Sequence, residues 1–109
     1  MATIDEQPWQ PIGNDPNTIF LINPHGTRHL SFDQRTGTWW RLWPHRPAEY
    51  LGADGALMLR PSDTDQIIQL SVIWIAQNPQ HQGVSQLSDQ LARGAKALVL
   101  HFAELAGAR

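Results

Sequence analysis

The segment TWWRLW, residues 38–43, has three tryptophans in six residues and constrains the fold more than any other part of the chain. Aromatic residues favour β-strands, and successive side chains of a strand point to opposite faces of its sheet. Both faces of this strand therefore carry an aromatic side chain. Because each one covers roughly 150–250 Å² when buried, the sequence predicts a sheet that is covered on both faces.

Prolines divide the first half of the chain into short runs rich in β-branched and aromatic residues, a pattern typical of strands. The predicted strands are residues 18–22, 28–32 and 38–43. The loop DQRTG, residues 33–37, joins the last two strands as a hairpin, with Gly37 in the left-handed conformation. Residues 49–60 are predicted to form a further hairpin that turns at Asp54-Gly55.

The second half of the chain is predicted to be helical. Ser62 follows Pro61 and precedes Asp65 by three residues, which is typical of a helix start and predicts a helix over residues 62–78. The body of this helix is apolar nearly all round, which indicates a buried helix. Because apolar residues also alternate over residues 67–76, a strand is the alternative for that part.

A second, amphipathic helix is predicted over residues 84–106, where apolar residues recur at steps of three and four. The chain of 109 residues has the size of one domain. We therefore predict one α+β domain over residues 18–109, a small antiparallel β-meander of three to five strands followed by two helices packed on one face. The sheet occupies residues 18–60, and an irregular lead-in, residues 1–17, precedes the domain.

A predicted register assigns the side chains to the two faces of the sheet. If residues 33–37 form the loop, Phe32 opposes Thr38 and Ser31 opposes Trp39. The helices then cover Ile19, Leu21, Leu30, Phe32, Trp40 and Leu42. The opposite face, here called the open face, then carries Phe20, Ile22, His29, Ser31, Trp39, Arg41 and Trp43. A slip of one residue would exchange the two faces.

The predicted open face is too apolar to stay in water and has the composition of an interaction surface. Its large apolar groups exceed the few hundred Å² that a monomer normally exposes, and tryptophan with arginine is typical of binding hot spots. Arg41 lies two residues from both Trp39 and Trp43, within stacking reach of either ring. Either the lead-in folds back over this face, or a partner covers it.

The function predicted from this face is non-catalytic recognition of a protein, as an adaptor, immunity protein or inhibitor, with self-association as a homodimer. The predicted partner-binding residues are Phe20, Ile22, His29, Trp39, Arg41, Trp43, His45 and Arg46. Binding of single-stranded nucleic acid is the alternative, because residues 28–46 combine four arginines with tryptophans. Against it stand the single lysine and the net charge of −2, since affinity for nucleic acid grows with the number of phosphate contacts.

A small hydrolase or a histidine–metal protein is a remote alternative. His25 and His29 are four residues apart but span a predicted turn, and catalytic zinc needs three protein ligands held together. The chain has no cysteine, no GxSxG motif and no glycine spacing that binds phosphate. We therefore predict no catalytic residue, no cofactor and no metal site.

The chain is predicted to be cytoplasmic and to stay out of membranes. Its first residues, MATIDEQPWQ, include acids where a signal peptide has positive charge followed by an apolar run. The longest unbroken apolar run, VIWIA, is far shorter than the ~20 residues that a membrane-spanning helix needs.

Overall fold

The computed structural model of the protein describes residues 16–22 and 28–107. Within them, one antiparallel sheet has the strand order β1-β2-β3-β4, and three α-helices follow it along the chain. The strands are β1 Thr18–Ile22, β2 Arg28–Asp33, β3 Thr38–Trp43 and β4 Arg46–Tyr50, and the helices are α1 Gly52–Leu59, α2 Thr64–Gln77 and α3 Val84–Gly107. The predicted α+β class, a meander followed by helices, is confirmed.

The predicted hairpin over residues 49–60 is wrong, because the sheet ends at Tyr50 and the next residues form α1. The run ALML belongs to strong helix formers and contains no β-branched residue. Gly52 takes the left-handed conformation, with φ +74°, and turns the chain from the strand into the helix. Ala53, Ala56 and Leu57, spaced as on one helix face, are fully buried.

The strand alternative for residues 67–76 is wrong, since α2 covers them. The predicted start of this helix at Ser62 is also wrong. A 3₁₀ turn, Pro61–Asp63, precedes α2, so the helix begins later than the sequence pattern indicates. The hydroxyl of Thr64 donates to the Pro61 carbonyl oxygen at 2.6 Å and joins the 3₁₀ turn to the helix.

The predicted register of β2 and β3 is wrong by one residue. Phe32 pairs with Trp39 and Asp33 pairs with Thr38, so that the turn has four residues instead of five. Asp33 closes this turn as well as ending the strand, because its carbonyl oxygen accepts from the Gly37 N–H at 2.8 Å and its carboxylate accepts from the Arg35 N–H at 2.9 Å. The slip moves the Trp39 side chain from the predicted open face to the helix-covered face.

Trp39 lies at the centre of the core. It is fully buried and packs on Phe32 with ring centroids 4.8 Å apart, and Phe32 in turn meets the edge of Trp74. The Trp39 Nε1–H donates to Ser71 Oγ at 2.9 Å, and Ser71 Oγ donates to the Ile67 carbonyl oxygen at 2.7 Å. This buried chain of hydrogen bonds joins the sheet to α2.

The short helix α1 packs against both β3 and α3. Gly94 of α3 makes the close approach possible, since a Cβ atom there would lie 2.6 Å from Leu57 Cδ1 and 3.0 Å from Asp54 Cα. Gln90, one turn earlier, accepts a hydrogen bond from the Ala53 N–H at 3.0 Å and donates to the Tyr50 hydroxyl at 2.8 Å. These contacts place α3 beside the start of α1.

We expect Gly94→Ala to lower the free energy of unfolding by about 1–3 kcal/mol, because the added methyl group overpacks the contact with α1. In an uncrowded helix position the same change stabilises by up to about 1 kcal/mol. Gly107→Ala is the matched control, since a Cβ atom there meets no atom within 4 Å. Urea unfolding measures both variants, and equal midpoints would contradict the close contact.

We expect Ser71→Ala to destabilise the protein by roughly 1–3 kcal/mol, because it leaves the buried Trp39 N–H without an acceptor. Ser88→Ala, at an exposed position of α3, is the control and gains only helix propensity. Thermal unfolding compares the two variants. A Ser71→Ala protein as stable as the control would show that the bond to Trp39 contributes nothing.

Candidate interaction site

Trp40 points to the face of the sheet opposite Trp39. This side chain meets the Tyr50 ring edge-on at 5.5 Å, and its Nε1–H donates to Thr38 Oγ1 at 2.9 Å. Ser31, paired with Trp40 and Phe20 on the neighbouring strands, is fully buried, and its hydroxyl has no hydrogen-bond partner in the described part of the chain. Trp40, which the sequence had assigned to the core, thus packs on the open face beside Tyr50.

Arg41, Trp43 and Arg46, here called the Trp43 cluster, meet at one end of the sheet. The guanidinium carbons of Arg41 and Arg46 lie 3.8 and 3.7 Å from the centroid of the Trp43 ring. Arg41 lies two residues before Trp43 on β3, and Arg46 is its partner on β4. Neither guanidinium forms an ion pair with a carboxylate of residues 16–22 or 28–107. Two arginine charges are therefore held by one aromatic ring.

A cleft of about 360 Å³ adjoins the Trp43 cluster. Its lining residues are His29, Arg41, Leu42, Trp43, Pro44, Leu59 and Arg60. Leu59 and Arg60 come from the end of α1, so the cleft lies on the side of the sheet that the helices cover. The alternation of side chains along β3 leads to the same conclusion, because Arg41 lies two residues after the buried Trp39 and so points to the same face of the sheet. The prediction that Arg41 points away from the helices is wrong.

The charges around the cleft are not equivalent. Arg60 pairs with Asp63 at 3.0 Å, which offsets part of its positive charge. Burial lowers the pKa of His29, and the positive charge of Arg60 lowers it further, so the imidazole is neutral at pH 7. Arg41 forms no ion pair among the described residues, although Glu49 is its cross-strand partner on β4, and it stands beside the apolar walls of the cleft. The arrangement suits an anionic group that has an apolar neighbour.

Irregular strand pairing shapes this end of the sheet. The register of β1 and β2 shifts at His29, which lies between the paired residues Arg28 and Leu30. The register of β3 and β4 shifts between Arg41 and Trp43. Such bulges re-aim side chains and are frequent beside binding sites. Here they accompany the opening of the cleft.

The structure brings together four of the predicted partner-binding residues and separates the others. Arg41, Trp43 and Arg46 form the cluster, and His29 lines the cleft beside them. Trp39 lies in the core, Phe20 is half-buried on the open face, His45 is exposed in the turn after β3, and the side chain of Ile22 lies outside the described residues. Whether the cluster binds a partner stays a prediction.

Sequence reasoning missed Leu59 and Arg60 as site residues. Both lie in the segment that was predicted to be a hairpin, and only the packing of α1 brings them to the end of the sheet. No local signal marks them. His25 and the predicted cover from the lead-in fall outside the described residues, apart from Pro16 and Asn17.

Residues 16–22 and 28–107 contain no helix long and apolar enough to cross a membrane. The same residues hold no group of three or more histidines and acids that could bind a metal ion. Comparison of the chain with protein-family models, with curated proteins and with solved structures finds no match.

We expect the pKa of His29 to lie below 6.5, the ordinary value for histidine, because of burial and the neighbouring Arg60. Below pH 6.5, the imidazole of His29 binds more protons in the unfolded chain than in the folded one. The contribution of His29 to the free energy of unfolding is therefore complete above pH 6.5. It is lost as the pH falls through 6.5 towards the folded pKa.

An NMR titration of the imidazole signals measures this pKa, with the His29 signal assigned from His29→Gln. Arg60→Gln should raise the pKa of His29, because it removes the nearby positive charge. Arg93→Gln, on the exposed side of α3, should leave it unchanged. A His29 that titrates at or above 6.5 in the wild type would contradict the expected shift.

Proposed function

We propose that the protein is a non-catalytic recognition module that binds an acidic segment of a protein partner at the Trp43 cluster and the adjoining cleft. The observation that carries the proposal is the stacking of two arginines on one tryptophan without a carboxylate partner among the described residues. A guanidinium binds carboxylate through two parallel hydrogen bonds. Stacking holds it in one orientation, which lowers the entropy lost on binding.

The cleft defines the chemistry of the segment that it accepts. Its volume of about 360 Å³ suits one or two side chains, and Leu42, Leu59 and the Trp43 ring provide apolar contact. The guanidinium of Arg41 provides a positive charge in the same cleft. The favoured ligand is therefore an aspartate or glutamate next to an apolar residue, on an exposed segment of a partner. A role as adaptor, immunity protein or inhibitor is consistent with such recognition.

Single-stranded nucleic acid is less well supported as the ligand. Base stacking needs free aromatic faces, but Trp39 is buried and two guanidinium groups already lie over Trp43. Arg35 contacts the carboxylate of Asp33 at 3.4 Å, which weakens its contribution to a phosphate-binding track. Self-association also belongs to the proposal. Because Trp39 is buried in the core, it is not available for a contact through the open face. The exposed end of α3 is therefore a better candidate for the surface that mediates self-association.

An NMR titration tests the acidic-segment proposal. The probes are a synthetic octapeptide of alternating glutamate and leucine, the same peptide with glutamine in place of glutamate, and a thymidine oligonucleotide. We expect the glutamate peptide alone to shift the indole N–H signal of Trp43. Arg41→Ala should weaken its binding by about 2 kcal/mol or more, as truncation of a hot-spot arginine does.

Arg93→Ala is the matched control, because Arg93 is an exposed arginine that already faces Asp54 across 3.6 Å. It should leave peptide affinity unchanged, and both variants should keep the unfolding midpoint of the wild type. Absence of binding by the glutamate peptide would contradict an acidic ligand. Preference for the oligonucleotide, with log affinity falling by about 0.7 per phosphate contact against log salt, would favour nucleic acid instead.

A further inference from the structure

The apolar stripe of α3 continues beyond the part of the helix that the core covers. Leu87 and Leu98 are 1% and 5% exposed, whereas Phe102 and Leu105 are 56% and 60% exposed. Steps of four and three residues join Leu98 to Phe102 and Leu105, so all three share one helix face. Every residue from 99 to 107 is exposed. The last two turns of α3 thus present a core-type face that no described residue covers.

An apolar groove runs alongside this stripe. It has a volume of about 430 Å³ and separates the start of α2 from the second half of α3. Its apolar lining consists of Pro61, Ile68, Ala95, Leu98, Val99 and Phe102. Phe102 belongs to both the groove and the bare stripe. The two features therefore form one continuous apolar surface, here called the α3 surface.

We propose that a second copy of the chain docks on the α3 surface, with the ends of the two α3 helices packed antiparallel about a two-fold axis near Phe102. A two-fold contact uses the same patch on both subunits. The α3 surface meets this requirement, because each copy offers both a protruding helix end and a groove to receive one. Two copies of the α3 surface therefore complement each other, and no other segment is needed to fill either groove.

The charge distribution supports a copy of this chain over other occupants. Among the residues that form the stripe and line the groove, Asp65 is the charged one, so the contact between two such surfaces is mainly apolar. Helices that bind membrane surfaces are rich in lysine and arginine, but Arg93 and Lys96 are the basic residues of α3. An anionic lipid surface and a nucleic acid both lack a complementary charge here.

The helix dipole favours the antiparallel arrangement. The last turn of α3 has no basic side chain to offset the partial negative charge of the helix end. In an antiparallel pair centred on Phe102, the two negative helix ends lie about ten residues, or roughly 15 Å, apart along the helix axis. A parallel pair would instead place the two negative ends side by side.

The size of the surface sets the expected strength of the dimer. The exposed end of α3 is about 14 Å long at 1.5 Å per residue, and half of the Phe102 ring surface amounts to roughly 100 Å². Stable dimers bury about 800 Å² on each partner, which the helix end reaches only together with the groove. We therefore expect reversible dimerisation with a Kd in the micromolar range.

Sedimentation equilibrium of the full chain between about 1 and 100 μM tests the proposal, a range that brackets a micromolar Kd. Leu105→Glu should weaken the dimer at least tenfold, because it places a charge in the apolar contact. Leu100→Glu is the matched control. Leu100 has the same side chain on the same helix and is 55% exposed, but it lies about 200° around the helix from Leu98.

The wild type should dimerise, and Leu100→Glu should match it. Circular dichroism checks that both variants keep their helix content, as expected for exposed positions. A protein that stays monomeric throughout the concentration range would overturn the proposal, even if the α3 surface then binds a different partner. Equal weakening by the two variants would overturn it as well. Arg41→Ala should leave the dimer unchanged, so failure here is distinguishable from failure at the Trp43 cluster.

Discussion

The fold depends on the burial of Trp39 between the sheet and α2. Its ring fills the core against Phe32, and its indole N–H is satisfied by Ser71, a residue 32 positions away along the chain. A buried indole without an acceptor would cost free energy, so this bond fixes which face of β3 points inward. Once Trp39 faces the helices, the alternation of the strand determines the place of every neighbour.

The position of the candidate site follows from that constraint. Arg41 and Trp43 continue the side of β3 that Trp39 begins, but they lie where the helices no longer cover the sheet fully. The end of α1 reaches them with Leu59 and Arg60, and a cleft forms in place of a packed core. Trp40, turned to the other side, is used in packing with Tyr50. Four tryptophans, Trp39, Trp40, Trp43 and Trp74, thus have separate tasks in packing, hydrogen bonding and arginine stacking.

The two proposed surfaces would bind their partners through different physical interactions, and they lie on different elements of the fold. The Trp43 cluster presents charge that is oriented by an aromatic ring, which suits selective recognition of a carboxylate. The α3 surface is mainly apolar, which suits association driven by burial of area. Because they share no residue, a dimer formed through α3 would carry two Trp43 clusters and could bind a repeated ligand with increased avidity.

The sequence by itself determined the α+β class, the order of sheet and helices, and the amphipathic helix that became α3, because these features depend on periodicity along the chain. It also placed Arg41 within stacking reach of Trp43, since the two residues are two positions apart on one strand. The tertiary structure decided the rest. Asp33 in the turn and Ser71 on α2 set the register of β3, and the close approach at Gly94 accompanies a helix where a hairpin was predicted. Leu59 and Arg60 reach the cleft only because α1 packs against β3, a contact between distant residues that no local pattern encodes.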